Sequence, residues 1–344
     1  MNSSPSGFSS YARRLGKAAG FALVLLAIAG TATWLILAFS EKRWPFEPPP
    51  RPVAEFQPER HLLPEEPFTE FPLVSVAQAK DALEPAELVL GVSLGNESRA
   101  YPLNVLNEEP RRKVVNDMLA GQAIVATWCD ACHSGIVYAR TVEDRTLTFA
   151  VSGQLWKDSM VLYDRETRTL WSQFSGEAKQ GLLKGGRLQP LPSVVTDWAS
   201  WRRLHPQSTV LLLPSAHRAF RRDFYQRPEN YVLGIGDGLL AKAWGLDVMR
   251  QMSVLNDQWD GRPVLVVFDA TSATAALYER QLPREVLTFR SAGDKVVDEQ
   301  GGSTWNPVTG EAESGPLRGH RLRRLPAMLA TRSAWDAFHP ASPP

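Results

Sequence analysis

Cysteine is scarce in this chain, whose 344 residues include only two, Cys129 and Cys132. A small scaffold held together by several disulfides is therefore excluded, because such scaffolds need cysteines dispersed along a short chain. Charge of one sign is not in surplus either, since 38 Lys and Arg stand against 37 Asp and Glu. We therefore expect no nucleic-acid partner, because binding phosphates requires a basic face.

Charged residues are absent from the stretch between Ala18 and Ser40. About 20 apolar residues in a helix cross the hydrocarbon core of a bilayer, so residues 18–40 are predicted to form a transmembrane helix. A cleaved signal peptide is the alternative, because Ala27-Ile28-Ala29 has the small-x-small form of a cleavage site. The apolar run continues well beyond that point, which favours an uncleaved anchor.

The basic residues Arg13, Arg14 and Lys17 precede this apolar run, and no acidic residue accompanies them. Because basic residues concentrate on the cytoplasmic side of a membrane, residues 1–17 are predicted to be cytoplasmic. The body of the chain is then predicted to lie on the periplasmic side of the inner membrane, behind a single span. The membrane is the only partner that the sequence names, and a protein partner stays unknown.

Nine prolines follow the apolar run between Trp44 and Pro72. Proline lacks a backbone N–H and favours extended polyproline conformation, so residues 41–73 are predicted to form a Pro-rich linker. This linker would act as a semi-rigid spacer between the membrane and the body.

The body of the chain contains an internal sequence repeat. Leu90-Gly91-Val92 recurs 143 positions later as Leu233-Gly234-Ile235, and further matches stand 140 and then 134 positions apart. These matches include Val114–Asp117 with Val254–Asp257, Leu147–Phe149 with Leu287–Phe289, Gly176–Ala178 with Gly310–Ala312, and His205-Pro206 with His339-Pro340. Chance does not keep register over such lengths, so we predict two tandem homologous units, residues 74–230 and 231–344, that share one core or pack as a pseudo-symmetric pair.

Each unit is predicted to be mainly β with some α. In the first unit, short runs rich in β-branched and aromatic residues alternate with polar or Gly turns, which is typical of a meander of strands. Apolar residues at helical spacing then predict a C-terminal helix at residues 194–204, matched by residues 325–338 in the second unit. The fold class is therefore α+β, with two β-rich units that each end in a helix.

The two cysteines occupy a turn between two predicted strands of the first unit, where His133 follows directly. In the second unit the same positions hold Asp269, Ser272 and Ala273. Since only one copy carries groups capable of thiol or metal chemistry, the first copy is the candidate for a functional site.

Four roles fit this Cys-x-x-Cys-His pattern. An exported pair can form a structural disulfide, or it can be a redox-active dithiol with one thiol of lowered pKa. Two thiolates with His133 also suit copper or zinc, with Met160 as a candidate fourth ligand. C-x-x-C-H is in addition the attachment signature of c-type haem, although the β-hairpin context and the missing distal ligand count against haem. Whether the protein is an enzyme stays open.

Several other polar residues recur in both units and are predicted to be structural. His205 and His339 stand at helix ends, where they would cap the helix. Asn116 and Asn256 precede Gly-containing turns and suit side-chain hydrogen bonds to the backbone. Asp164 begins a hairpin turn, where Asp favours the first position.

Three motifs occur in a fixed order along the first unit: RAYPLNVL, ATWCDACHSGIVYAR and VSGQLWKDSMVLYDRETRTLWSQFSGEA. Together they resemble the domain of unknown function 3179 family of bacteria and archaea, over residues from about 70 to 340. The resemblance implies the limits of the fold and marks the cysteine pair as a signature feature, and it implies no established reaction.

Overall fold

The computed structural model describes residues 55–236 and 240–340. The predicted cytoplasmic segment 1–17 and transmembrane helix 18–40 lie outside these residues. Within the described ranges, none of the helices has the length and apolar character needed to span a membrane.

The first unit and the segment before it are built mainly from strands. In chain order these are β1 (Glu59–Arg60), β2 (Leu73–Ser75), β3 (Leu88–Leu94), β4 (Glu97–Pro102), β5 (Val114–Leu119), β6 (Gln122–Cys129), β7 (Ser134–Ala139), β8 (Thr141–Val142), β9 (Arg145–Thr146), β10 (Phe149–Trp156), β11 (Ser159–Asp164), β12 (Leu170–Ser172), β13 (Ala178–Gln180), β14 (Gln189–Leu191), β15 (Ser193–Asp197) and β16 (Thr209–Leu211). The helices are α1 (Val76–Ala79), α2 (Leu103–Leu106) and α3 (Trp198–Leu204), with 3-10 turns at Pro110–Lys113, Arg222–Tyr225 and Pro228–Asn230.

The second unit repeats this order in a shorter form. Its strands are β17 (Tyr231–Ile235), β18 (Lys242–Gly245), β19 (Val254–Trp259), β20 (Arg262–Asp269), β21 (Thr274–Glu279), β22 (Phe289–Ala292), β23 (Lys295–Asp298), β24 (Thr304–Trp305), β25 (Arg323–Arg324) and β26 (Met328–Thr331). Its helices are α4 (Leu246–Gln251) and α5 (Arg332–Phe338).

Three sheets recur in each unit. The orders β15-β3-β4-β16-β2, β14-β7-β6-β5 and β1-β10-β11-β12-β13 in the first unit correspond to β26-β17-β18, β25-β21-β20-β19 and β22-β23-β24 in the second. The mainly β fold and the internal repeat predicted from the sequence are therefore confirmed.

Both units contain the predicted helix near their C-terminal end, although β16 and two 3-10 turns still follow α3 in the first unit, and both helices begin later than the spacing indicated. Residues 193–197 form β15, which pairs with β3, and the helix starts only at Trp198. In the second unit β26 pairs with β17 before α5 starts at Arg332. The predicted starts at 194 and 325 were wrong because apolar residues at helical spacing also served the buried face of a strand.

The described part of the predicted linker packs along the first unit. Glu59 and Arg60 pair with β10, and the backbone N–H of Glu65 donates to the carbonyl of Val151 at 2.9 Å. Phe68 is buried and its carbonyl accepts the N–H of Asn116. This stretch is therefore attached to the body rather than standing free of it.

The two units exchange a pair of backbone hydrogen bonds. The N–H of Thr331, which precedes α5, donates to the carbonyl of Cys132 at 3.0 Å. Reciprocally, the N–H of Asp197, which precedes α3, donates to the carbonyl of Ser272 at 3.0 Å. The largest hydrophobic cluster also combines residues of both units. The predicted pseudo-symmetric pair with a shared core is confirmed.

A glycine lets each C-terminal helix lie close against its sheet. A Cβ on Gly91 would lie 2.1 Å from the indole of Trp201, and a Cβ on Gly234 would lie 2.0 Å from the indole of Trp335. Both indoles are buried. The same device therefore seats α3 and α5 in the two units.

Candidate functional site

The Cys-x-x-Cys segment is the turn of the β6–β7 hairpin. Asp130 and Ala131 at its tip are exposed, while Cys129 and Cys132 are 1% and 0% exposed. His133 takes a left-handed backbone conformation with φ of 49°, and its counterpart Ala273 has φ of 55°. The two copies thus share one turn geometry and carry different side chains in the turn.

Both cysteines are free thiols, and they contact one another under the turn. The backbone N–H of Cys132 lies 3.5 Å from the sulfur of Cys129. Burial by itself raises the pKa of Cys129, but hydrogen bonds from the Cys132 side chain and backbone and from the Met160 backbone outweigh burial and lower the pKa to about 7. Cys129 is therefore the thiol that ionises first.

Cys132 has the opposite tendency. Burial, together with its hydrogen bond to Cys129 and the charge on that sulfur, raises the pKa of Cys132 well above its ordinary value. The arrangement therefore holds a proton on Cys132 while negative charge develops on Cys129.

A buried polar network surrounds the Cys132 sulfur. The hydroxyls of Ser134 and Ser159 lie 3.1 Å and 3.7 Å from it. Both hydroxyls also donate to Oε1 of Gln173, at 3.2 Å and 3.4 Å, and the amide of Gln173 donates to Thr127 Oγ1 at 3.0 Å. All four residues are at most 2% exposed. Burying so many polar groups is costly unless they are paired, and here they pair with one another and with a thiol.

Most of this network is missing from the second unit. Thr127 and Gln173 correspond to Val267 and Pro307 at the separations of 140 and 134. Strand β23 is also shorter than β11, and Gly293 of its turn stands at the position of Ser159. Sequence reasoning did not identify these residues, although the signal was present: strand positions that are polar in one copy and apolar in the other.

The second turn shows what a purely structural pair does there. The hydroxyl of Ser272 donates to the carboxylate of Asp269 at 2.5 Å and also lies 2.6 Å from the hydroxyl of Thr274. The first position of each turn is thus an acceptor and the fourth a donor. Closing this turn does not require sulfur.

His133 is directed away from the thiols. Its Nδ1 lies 2.9 Å from the hydroxyl of Tyr231, its ring packs against Phe224, and burial lowers the pKa of its imidazole. Met160 is buried in β11 and contacts Cys129 through its backbone. Among residues 55–236 and 240–340, no group of three or more His, Cys, Asp or Glu could hold a metal ion.

An ion pair borders the turn. Nζ of Lys113 lies 2.6 Å from the carboxylate of Asp130, which follows Cys129 directly. The Asp130 carboxylate disfavours a thiolate on Cys129.

The residues predicted to be structural have that role. His205 and His339 end helices α3 and α5, and each ring packs on the tryptophan of its helix, with centroids 4.0 Å and 4.2 Å apart. Asp164 accepts the N–H of Thr167 at 2.6 Å, which confirms the predicted turn.

Asn116 and Asn256 bond to the backbone as predicted, but across sheets rather than within a turn. Each amide donates at 2.7 Å to the carbonyl of Phe149 or Phe289 and accepts the N–H of the same residue. Each asparagine therefore ties two sheets of its unit together.

Comparison with known proteins gives one family. A sequence profile described as "Protein of unknown function (DUF3179)" matches residues 67–233 and again residues 227–343. No curated protein and no solved structure matches the chain.

Proposed function

The chain belongs to the DUF3179 family, whose description names no activity, and we propose from the site itself that it is a thiol–disulfide redox protein. Cys129 and Cys132 form the redox pair. We propose further that residues 18–40 anchor the protein in the inner membrane and that its body faces the periplasm, a compartment in which disulfides form and persist.

One observation carries the redox proposal: the two thiols are chemically unequal. Cys129 receives hydrogen bonds that favour its thiolate, while burial and the neighbouring Cys129 sulfur keep the proton on Cys132, against the opposing effect of its hydrogen bonds to Ser134 and Ser159. A nucleophilic thiolate beside a protonated resolving thiol is what disulfide exchange needs. The second unit keeps the same acceptor–donor order with Asp269 and Ser272, so closing the turn does not require thiols.

The chemistry follows from this asymmetry. The Cys129 thiolate attacks a disulfide of a partner, forming a mixed disulfide and releasing one partner thiolate, which takes up the proton of Cys132. The Cys132 thiolate then attacks the Cys129 sulfur, forms the Cys129–Cys132 disulfide and releases the second partner sulfur, which is protonated by water. Two electrons pass from the cysteine pair to the partner disulfide.

Access to the pair is through the turn. Both sulfurs are covered, but the residues directly above them, Asp130 and Ala131, are exposed. Reaction therefore requires the turn to open, which breaks the Lys113–Asp130 ion pair. We expect a small disulfide such as oxidised glutathione to react faster than a folded protein disulfide.

The test equilibrates the full-length chain in glutathione buffers of graded ratio, alkylates free thiols and weighs the intact protein. We expect one two-electron transition in which both thiols disappear together. Cys129→Ser and Cys132→Ser each abolish this transition, and Cys132→Ser traps the mixed disulfide on Cys129.

Ser272→Ala is the matched control, since it alters the equivalent turn of the second unit and leaves both thiols in place. It should leave the transition midpoint unchanged. Thiols that stay reduced across the whole range, or a disulfide that no glutathione ratio reduces, would contradict the redox function. Stoichiometric copper or zinc that is lost in Cys129→Ser would favour metal binding instead.

The location has its own test. A reporter that is active only outside the cytoplasm, fused after residue 344, should be active, and deletion of residues 18–40 should release the body from the membrane fraction. An inactive fusion would contradict the orientation without bearing on the thiol chemistry.

A further inference from the structure

Two cavities lie between the units at symmetry-related places. One, of about 260 Å³, is bordered by Gly234 of β17 and by His339 at the end of α5. The other, of about 300 Å³, is bordered by the matching Gly91 of β3 and His205 at the end of α3. Each cavity is bordered by residues of both units, so the pair is a consequence of the reciprocal packing of the two copies.

The two cavities differ in charge. The cavity beside His205 is lined by three arginines, Arg321, Arg323 and Arg324. At the corresponding positions of the first unit only Arg187 is kept, and the other two positions are Gln189 and Pro190. The cavity beside His205 has thus acquired cationic groups that its counterpart lacks.

The three arginines differ in whether a carboxylate pairs with them. Arg321 and Arg323 are exposed at the rim and pair with the carboxylates of Glu311 and Glu279. Exposed pairs of this kind are weak and are readily exchanged for another anion.

Arg324 is half-buried and has no carboxylate partner within the part of the chain that the structure describes. Its guanidinium donates to the hydroxyl of Tyr278 and to the carbonyl of Val308, and it lies 4.9 Å from the centre of the Tyr278 ring. These neutral acceptors hold the group in place and leave its positive charge unneutralised.

The pKa of the His205 imidazole indicates that the electrostatic potential in this cavity is positive. Burial lowers its pKa first, and the positive charges of Arg324 and Arg321 lower it further, to about 4. Its ring packs on the buried indole of Trp201, so the half-buried imidazole, backed by the indole, forms a flat wall of the cavity.

We propose that this cavity binds a small organic molecule through an oxyanion group, a carboxylate or a phosphate, with Arg324 as its principal ligand. Guanidinium N–H groups match the paired oxygens of either anion, and the His205 ring, backed by the buried Trp201, provides a surface for the apolar part of the molecule. This site is separate from the thiol pair and does not depend on the redox function.

The test titrates the full-length chain with inorganic phosphate and, separately, with acetate, using calorimetry and the ring-proton NMR signals of His205. We expect saturable binding of one or both anions and a shift of the His205 signals, and the tighter anion identifies the class. Arg324→Gln should weaken binding at least tenfold, whereas Arg324→Lys, which keeps the charge, should retain part of it.

Arg187→Gln, at the equivalent position of the other cavity, is the matched control and should leave both readouts unchanged. The proposal is overturned if neither anion binds with a Kd below about 10 mM. Equal binding by wild type and Arg324→Gln, or binding that leaves the His205 signals unmoved, would also overturn it.

Discussion

At the scale of single residues, the two units close the same turn with different side chains. Asp269 and Ser272 close the turn of the second unit with an ordinary hydrogen bond. Cys129 and Cys132 close the same turn with two thiols of unequal pKa. Because the turn forms either way, the thiols of the first unit are available for a function that their counterparts cannot perform.

The two helix-end histidines make stability depend on pH. Burial, with a smaller contribution from the positive charge of Lys157, lowers the pKa of His339 to about 4. Between that value and the unfolded value of about 6.5, the unfolded chain binds a proton that the folded chain does not. The stabilisation is therefore complete above pH 6.5 and is lost as the pH falls to 4.

His339→Phe should remove part of this acid sensitivity, on the order of 1–3 kcal/mol between pH 6.5 and 4. Phenylalanine keeps a ring on Trp335 and deletes Nδ1, which is buried and has no hydrogen-bond partner among residues 55–236 and 240–340. Thermal unfolding at several pH values measures the effect. His61→Phe, at an exposed histidine, should leave the profile as it is, and an unchanged slope in His339→Phe would refute the assignment.

At the scale of elements, each unit depends on a helix pressed against a glycine. Trp201 and Trp335 fill the space over Gly91 and Gly234, so helix and strand approach more closely than a side chain would allow. This contact joins the C-terminal helix of each unit to an interior strand of its first sheet, β3 or β17.

Gly91→Ala and Gly234→Ala should each destabilise the protein by about 1–3 kcal/mol or more, because the new methyl group overlaps a buried indole. The midpoint of urea unfolding measures this. Gly301→Ala is the control, since a Cβ there meets nothing closer than 3.5 Å. Combining Gly91→Ala with Trp201→Leu should cost less than the sum of the two single changes, and strict additivity would contradict a direct clash.

The sequence predicted the strands and the repeat well because both rest on local patterns. Strand β3 is such a run of mostly apolar residues, and it ends at Leu94 before the turn residues Gly95-Asn96. The helices were predicted to begin too early because Val194 is buried in β15 and Trp198 in α3. The two residues stand four positions apart, which is also the spacing of one helical face. The network around Cys132 escaped prediction because Ser134, Ser159 and Gln173 meet only through the packing of two sheets.

At the scale of the whole molecule, the two units are mutually dependent. Each supplies the carbonyl that accepts the first N–H before the other's C-terminal helix, and the largest hydrophobic cluster draws on both. A unit on its own would expose this apolar surface to water.

We therefore expect residues 55–340 to unfold in a single cooperative transition, and residues 55–230 or 231–340 expressed alone to show none. Calorimetry and circular dichroism measure this. Co-expression of the two halves should restore the transition. Two separate transitions in the intact chain, or a stable half released by proteolysis near Arg227, would contradict the shared core.

The reciprocal hydrogen bonds between the units use only main-chain atoms of the turn. Cys132 and Ser272 each contribute a carbonyl oxygen, which every amino acid possesses, so the contact places no demand on the side chain. A two-fold dimer of a single unit would make the same bond twice. Once two copies are joined in one chain, mutation can change the side chains of either turn without loosening assembly, and one copy can specialise while its twin keeps the architecture.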